Sequence, residues 1–434
     1  MSSFIKILLQ IRLQIYLGLI KISCVLNLPF IAAVIIKLCL FKLKGIEHSK
    51  NQKKIFIFFY RTGGIHDLLI GLDVKQLKKK ILFLDRSILR KIFDHFHKGV
   101  KINAEANFKF DTSYEVYLSY LVKRLNALMN DFSILAFNFS YIEEIIFRKV
   151  AFLNKNACKL LYKECFRTEA EYKVHNDKGL HEYLKFYSNI AVYNNNTKKH
   201  FQKRLKHKNN VEIVGCGRAL ISYNTGKVKS FEKVQNILFY YFPKYKGMPT
   251  RNSKFTYFKE SGIKKHKPIS WLKIINEIFD AFIELAKKHK NINFIIKAKK
   301  GEMESNYYIK KISNLNLKNL KYLNSGAGHE LIKNSQVIIG MNSAAIVESI
   351  AAKRKIFIPF FSSYRKKLYE QYTLNCPRTL MVKNKQDLKI NIEKLIKQKY
   401  LKFPVDIKNY EKILLEYFGD VKNSKKTITD FINK

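Results

Sequence analysis

The chain has 434 residues, 47% of them apolar and 14% aromatic, which excludes a disordered, collagen-like or disulfide-scaffold protein. At roughly 100–200 residues per domain, it should hold two domains or three. Lys and Arg number 81 against 34 Asp and Glu, a formal charge of +47, which favours anionic partners: nucleic acid, anionic membrane or phosphorylated substrates.

That charge is mostly lysine, spread over the whole chain and accompanied by abundant Ile, Asn, Phe and Tyr, a mix that AT-rich codons also produce. A dedicated nucleic-acid protein concentrates arginine and stacking aromatics in one segment, so no specific nucleic acid is expected. Cys24, Cys39, Cys158, Cys165, Cys216 and Cys376 are scattered without a C-x-x-C pair. They form neither a zinc nor a disulfide framework and suit a reduced, cytoplasmic compartment.

Residues 1–50 form an apolar helical segment. Its cleanest stretch, Ile22–Ile36, lies between Lys21 and Lys37 and contains Pro29. It falls short of the ~20 residues needed to span a bilayer. No small-residue cleavage site follows. A membrane-surface segment on the anionic inner leaflet is the expected reading, with helices packed on the first domain or a true span as the alternatives.

From residue 51 short apolar runs alternate with amphipathic stretches. The first series is Ile55–Tyr60, Ile81–Leu84, Ser133–Phe139, Ala157–Tyr162, Asn189–Tyr193 and Val211–Gly215. The second is Asn236–Phe242, Asn293–Lys297, Gln336–Gly340, Ile356–Pro359 and Thr379–Val382. Such runs read as buried parallel strands, and stretches like Ile269–His289, apolar at three- and four-residue steps, read as helices between them. The predicted fold is α/β, with two Rossmann-like domains facing a cleft: residues 51–225 and 226–405, joined near the polar stretch Tyr223–Val234, with a helix over 406–434. Ligands of such domains sit at the carboxyl ends of the strands.

Several motifs fall at those ends. Gly63 and Gly64 follow the first strand and let a ligand approach the backbone; His66 or Asp67 beyond them can deprotonate a hydroxyl. Lys163 and Glu164 follow the strand Ala157–Tyr162, and Glu164 is the rival base. Arg218, after Gly215, offers a forked cation for a diphosphate. Lys297 ends a strand and precedes Lys299 and Lys300, which read as a solvated face. His329 can contact a nucleobase or phosphate, or stand at the surface. In Ser335–Phe361 a strand ending at Gly340 leads through Met341, Asn342 and Ser343 into a helix beginning near Ala344. Free amides there favour a phosphate, and Glu348 on the same helix face can accept from ribose hydroxyls. Helix capping by Asn342 or Ser343 is the structural alternative.

This last segment resembles the donor-binding region of GT-B glycosyltransferases, especially those of bacterial capsule and lipopolysaccharide synthesis. Their pattern is an apolar strand, G-x-N-S, a small-residue helix carrying Glu, and a strand ending in Pro. Gly340, Asn342, Ser343, Glu348 and Pro359 match it. A glycine usually follows the helix, where this chain has Lys353-Arg354-Lys355. The resemblance covers roughly residues 200–400. It implies a nucleotide-sugar donor bound on the second domain by Lys297, Gly340, Asn342, Ser343, Ala344 and Glu348, with Arg218 reaching it from the end of the first domain. It also implies a glycan or lipid-linked acceptor on the first domain, near Gly63, Gly64 and Lys163, and a place on the inner face of the cytoplasmic membrane. CDP-glycerol glycerophosphotransferase-like enzymes share the fold, so CDP-alcohol transfer is an alternative, as are a nucleotide-sugar epimerase and a non-enzymatic basic scaffold binding RNA or membrane. No Asp-x-Asp occurs, which argues against the metal-dependent GT-A class. Lys, Arg and helix amides should then stabilise the leaving group, with no metal or cofactor beyond the donor itself.

Overall fold

Short β-branched and aromatic runs become the strands of two six-stranded sheets, all parallel. The computed structural model describes residues 3–41, 55–60, 68–98, 110–130, 132–138, 141–162, 180–205, 210–227, 233–241, 271–298, 305–324, 328–340, 344–359, 361, 379–399, 401 and 407–434. The chain divides into two compact units: 1–166, 175–218 and 418–434 make the first; 167–174 and 219–417 the second.

In the first unit the strands are β1 (Ile55–Tyr60), β2 (Lys80–Asp85), β3 (Ser133–Ala136), β4 (Cys158–Tyr162), β5 (Asn189–Val192) and β6 (Asn210–Ile213). Their order is β2-β1-β3-β4-β5-β6. The helices are α1 (Ser3–Val25), α2 (Pro29–Cys39), α3 (Arg86–Phe96), α4 (Thr112–Met129), α5 (Ile142–Leu153) and α6 (Asn195–Arg204). Aspartates mark two starts: Asp85 Oδ1 accepts from Ser87 N at 2.8 Å, and Asp111 Oδ1 from Ser113 N at 2.8 Å. The apolar stretch Ile22–Ile36 is not one helix. Asn27 takes the left-handed conformation (φ 51°) and Pro29 restarts the chain at the first turn of α2. No described helix is long and apolar enough to cross a membrane. Instead α2 packs on α4, and α1 on α2 and α3. Phe41 then pairs by backbone with Phe83, covering part of the edge strand β2.

The second unit holds β7 (Asn236–Tyr240), β8 (Asn293–Lys297), β9 (Leu320–Leu323), β10 (Val337–Gly340), β11 (Lys355–Pro359) and β12 (Thr379–Val382), ordered β12-β11-β10-β7-β8-β9. Helix α7 (Gly217–Lys227) leads into it, and α8 (Trp271–Lys288), α9 (Ser305–Ser313), α10 (Gly328–Asn334), α11 (Ala344–Ala351) and α12 (Lys385–Lys397) follow. Tyr223–Lys227, expected as linker, is the end of α7: Gly226 lies so close to the Ala351 carbonyl that a side chain would collide. The inner face of α8 is the expected one, with Ile274, Ile275, Ile278, Phe282 and Leu285 buried.

Residues 407–434 form two helices, α13 (Ile407–Phe418) and α14 (Ser424–Asn433), and α14 returns to the first unit. Thr427 Oγ1 donates to the Val214 carbonyl at 2.5 Å. Lys159, buried inside β4, donates to the Phe431 carbonyl at 2.9 Å and the Ile432 carbonyl at 3.2 Å. Burial, then neighbouring Lys79, pushes its ammonium down to about 7.

After α11, Lys353 adopts the left-handed conformation that usually favours glycine, with φ 56°. The helix closes with Lys353 N donating to the Ile350 carbonyl (2.9 Å) and Arg354 N to the Ser349 carbonyl (3.0 Å), the paired bonds of a Schellman cap. A left-handed non-glycine residue costs about 1–2 kcal/mol. Lys353→Gly should therefore stabilise the protein by ~0.5–1 kcal/mol, allowing for the greater entropy of the unfolded glycine chain. Urea denaturation measures it; an unchanged or lower midpoint contradicts the strain argument.

Candidate functional site

The strand order of the second unit lines up a set of side chains. Gly340 at the end of β10 pairs in register with Tyr240 at the end of β7, and Tyr240 with Lys297 at the end of β8. Three adjacent carboxyl ends thus form one row, where open parallel sheets bind ligands. Gly340 also has a packing reason: a Cβ there would lie 2.8 Å from Ile346 Cδ1 of α11 and 3.3 Å from Tyr240 Cβ. Its absence lets α11 sit close to the strand end.

Lys297 is half-buried, and burial lowers its ammonium from the ordinary lysine value. Its Nζ donates to the Ala298 carbonyl at 2.7 Å. Tyr240 donates its hydroxyl to the Gly328 carbonyl at 2.8 Å. Burial first, then the Glu348 carboxylate, holds the phenol neutral well above its usual range. Glu348 itself is buried on α11, only 7% exposed. A half-buried His329 follows Gly328, with Nε2 3.6 Å from Glu330 Oε1. One edge therefore combines a cation, a neutral phenol and a buried carboxylate beside the start of a helix. These groups suit a phosphate on one side and a polyol on the other.

Lys297, Gly340 and Glu348 are brought together in this way. Ala344 opens α11. Arg218 is half-buried in the first turn of α7 and belongs to the other unit. The glycines before it serve backbone packing. Gly215 is left-handed (φ 71°), and a Cβ there would collide with the Asp420 carbonyl; one at Gly217 would collide with the Gly71 backbone. Gly63, Gly64, His66, Asp67, Lys163, Glu164, Lys299, Lys300, Met341, Asn342 and Ser343 lie outside the described residues.

Sequence reasoning missed Tyr240. The only signal was its place at the last position of an apolar run, and its neighbours depend on a strand order that the sequence does not display. It also missed a buried charge cluster at the corresponding edge of the first sheet. Arg86 directly follows β2, and Glu143 and Glu144 open the helix after β3. Arg86 Nη2 pairs with Glu143 Oε1, and Arg86 Nε lies 3.5 Å from Glu144 Oε1. Arg148 Nη1 reaches Glu144 Oε2 at 3.4 Å and the Asn138 carbonyl at 3.3 Å. The Arg86 guanidinium stacks 3.9 Å above the Tyr141 ring.

No protein-family model and no curated protein matches the chain. Solved structures do. A UDP-GlcNAc 2-epimerase from Neisseria meningitidis, bound to UDP-GlcNAc, matches 87% of this chain and 99% of its own, with TM-score 0.50 and 13% identity. Another UDP-N-acetylglucosamine 2-epimerase matches 88% of this chain and 95% of its own, with TM-score 0.50 and 12% identity. MurG from Acinetobacter baumannii matches 88% and 99%, with TM-score 0.45 and 10% identity. At such identities the likeness to the two epimerases is one of fold: the chain is built as two Rossmann-like α/β units of the GT-B kind.

Proposed function

We propose that this protein is a GT-B enzyme that takes a nucleotide diphosphate sugar and transfers the sugar to a surface-polysaccharide or lipid-linked acceptor at the inner face of the cytoplasmic membrane. The observation that carries the reading is the row Gly340, Tyr240 and Lys297 at one sheet edge, with Glu348 buried beside it. In this reading Asn342, Ser343 and Ala344 present amides at the start of α11 to the diphosphate. Lys297 and Arg218 balance its charge, and Glu348 accepts from the ribose. His66, Asp67 and Glu164 are the candidate bases, with Gly63, Gly64 and Lys163 toward the acceptor. The leaving diphosphate is stabilised by these cations and amides without a metal.

A second reading, inversion at C2 of the donor sugar without an acceptor, is favoured by the epimerases among the similar folds. Incubation with UDP-GlcNAc in deuterated water separates the two. Proton loss and return at C2 exchanges that hydrogen with solvent, so deuterium at C2 supports epimerisation. Transfer predicts binding without incorporation. A thermal-shift panel of UDP- and CDP-ligands, CDP-glycerol among them, tests both: no shift with any ligand defeats the nucleotide-sugar reading and leaves the basic scaffold.

A further inference from the structure

The amino-terminal hairpin buries one side and leaves an apolar other side uncovered. On α1 the inner residues Ile20, Ser23 and Cys24 are buried, and Ser23 Oγ lies 2.9 Å from Tyr117 Oη of α4. On α2 the inner residues are Ala32, Ala33, Ile35 and Ile36. The opposite face of α1 carries Ile11, Ile15, Leu19 and Ile22, between 41% and 57% exposed. At 3.6 residues per turn these fall on one stripe. Phe30, Val34 and Leu38 repeat the pattern on α2 at 51%, 43% and 56% exposure. The stripes join at the turn through exposed Val25 and Leu26. They meet again where Arg12 Nη2 donates to the Leu38 carbonyl at 3.2 Å.

A water-soluble surface seldom keeps so large an apolar patch uncovered. Its borders indicate what covers it. Exposed Arg12 and Lys21 fall on opposite edges of the α1 stripe, and exposed Lys37 beside that of α2. Residues 3–41 contain no Asp or Glu. A second copy of the chain would bring another +47 and the same basic border against this one. Repulsion disfavours that pairing, whereas an anionic lipid surface complements both the apolar stripe and its cationic edges.

We propose that the α1–α2 hairpin lies flat in the headgroup region of an anionic bilayer, with Ile11, Ile15, Leu19, Ile22, Phe30, Val34 and Leu38 inserted and Arg12, Lys21 and Lys37 against the phosphates. The inner faces of the same helices stay packed on α3 and α4, so the enzyme sits on the membrane and does not cross it. This deepens, and rests on, the membrane-surface part of the function proposed above.

Flotation of the full-length protein with vesicles tests it, without nucleotide, so that its outcome is independent of donor binding. On phosphatidylcholine vesicles containing 30% phosphatidylglycerol, binding should exceed that on phosphatidylcholine alone by ~10-fold and weaken at high salt. Ile15→Glu/Val34→Glu, both exposed positions, should lower binding to the anionic vesicles at least ~10-fold, because buried charge is costly and the stripe supplies the apolar area. Its thermal midpoint and its UDP affinity should stay at the wild-type values. The proposal fails if wild type remains with the unbound fraction, or if the double variant floats equally well. It also fails if sedimentation without lipid shows a dimer that the double variant dissolves, since the stripe would then belong to a second copy. Wild type that floats with the anionic vesicles but binds no UDP would instead overturn the nucleotide-sugar reading alone.

Discussion

Replacing Arg148 with leucine is expected to cost about 3–5 kcal/mol of stability, the usual result of removing one partner from a buried charge network. Arg148 is 1% exposed and stands between Glu144 and the Asn138 carbonyl, with its guanidinium 4.9 Å from the Tyr187 ring. Without it Glu144 loses one of the cations beside it, while Arg86 is shared between the buried carboxylates of Glu143 and Glu144. Exchanging all the charges for apolar groups of matching volume would be far milder, because desolvation of the pairs nearly cancels their attraction. Arg148→Leu combined with Glu144→Leu should therefore recover much of the loss. Urea unfolding at neutral pH measures both. A single variant within about 1 kcal/mol of wild type would show that the cluster is already well solvated.

Glu348→Ala should weaken binding of a UDP-sugar by about 1.5–3 kcal/mol, roughly 10- to 150-fold, if its carboxylate accepts a charge-assisted hydrogen bond from the ribose. The side chain is buried on a short helix whose first residue follows the end of β10 by four positions, and it lies close enough to Tyr240 to act on its phenol. Removing it also takes a negative charge away from the Tyr240 phenol, whose ionisation should become easier. Isothermal titration with UDP and UDP-GlcNAc reads the first effect. Ultraviolet titration of tyrosine, against Tyr240→Phe as the reference, reads the second. Unchanged nucleotide affinity in a well-folded variant removes Glu348 from the donor site and leaves it a structural group.

Much of the fold was legible because buried parallel strands need continuous apolar runs. Of the described strands, eleven coincide with runs read from the sequence, and β9 does not. Leu320–Leu323 is an edge strand with only Leu320 buried and Lys321 exposed, so it carries no apolar run to find. The helix after Gly340 was legible for the same reason: small and β-branched residues on one side, a glycine where the backbone comes close. The amino-terminal segment was half-legible. Its apolar character shows in the composition, but the break at Asn27 and the burial of one face arise from packing on α3 and α4.

The sequence by itself determined the α/β class, the two series of strands and the presence of Lys297, Gly340 and Glu348 at or just past strand ends, since burial period and loop chemistry are local properties. Only the tertiary structure decided which strand ends are neighbours. Tyr240 enters the row because β7 lies between β10 and β8, and Arg86 meets Glu143 because β1 and β3 lie in order beside β2. Pairing of parallel strands joins residues many positions apart through crossover helices, and hydrogen bonds between backbones carry no mark of their partner in either chain segment. The exposed stripe of the hairpin was decided in the same way: both faces of α1 are apolar in sequence, and contact with the rest of the unit selects the one that is buried.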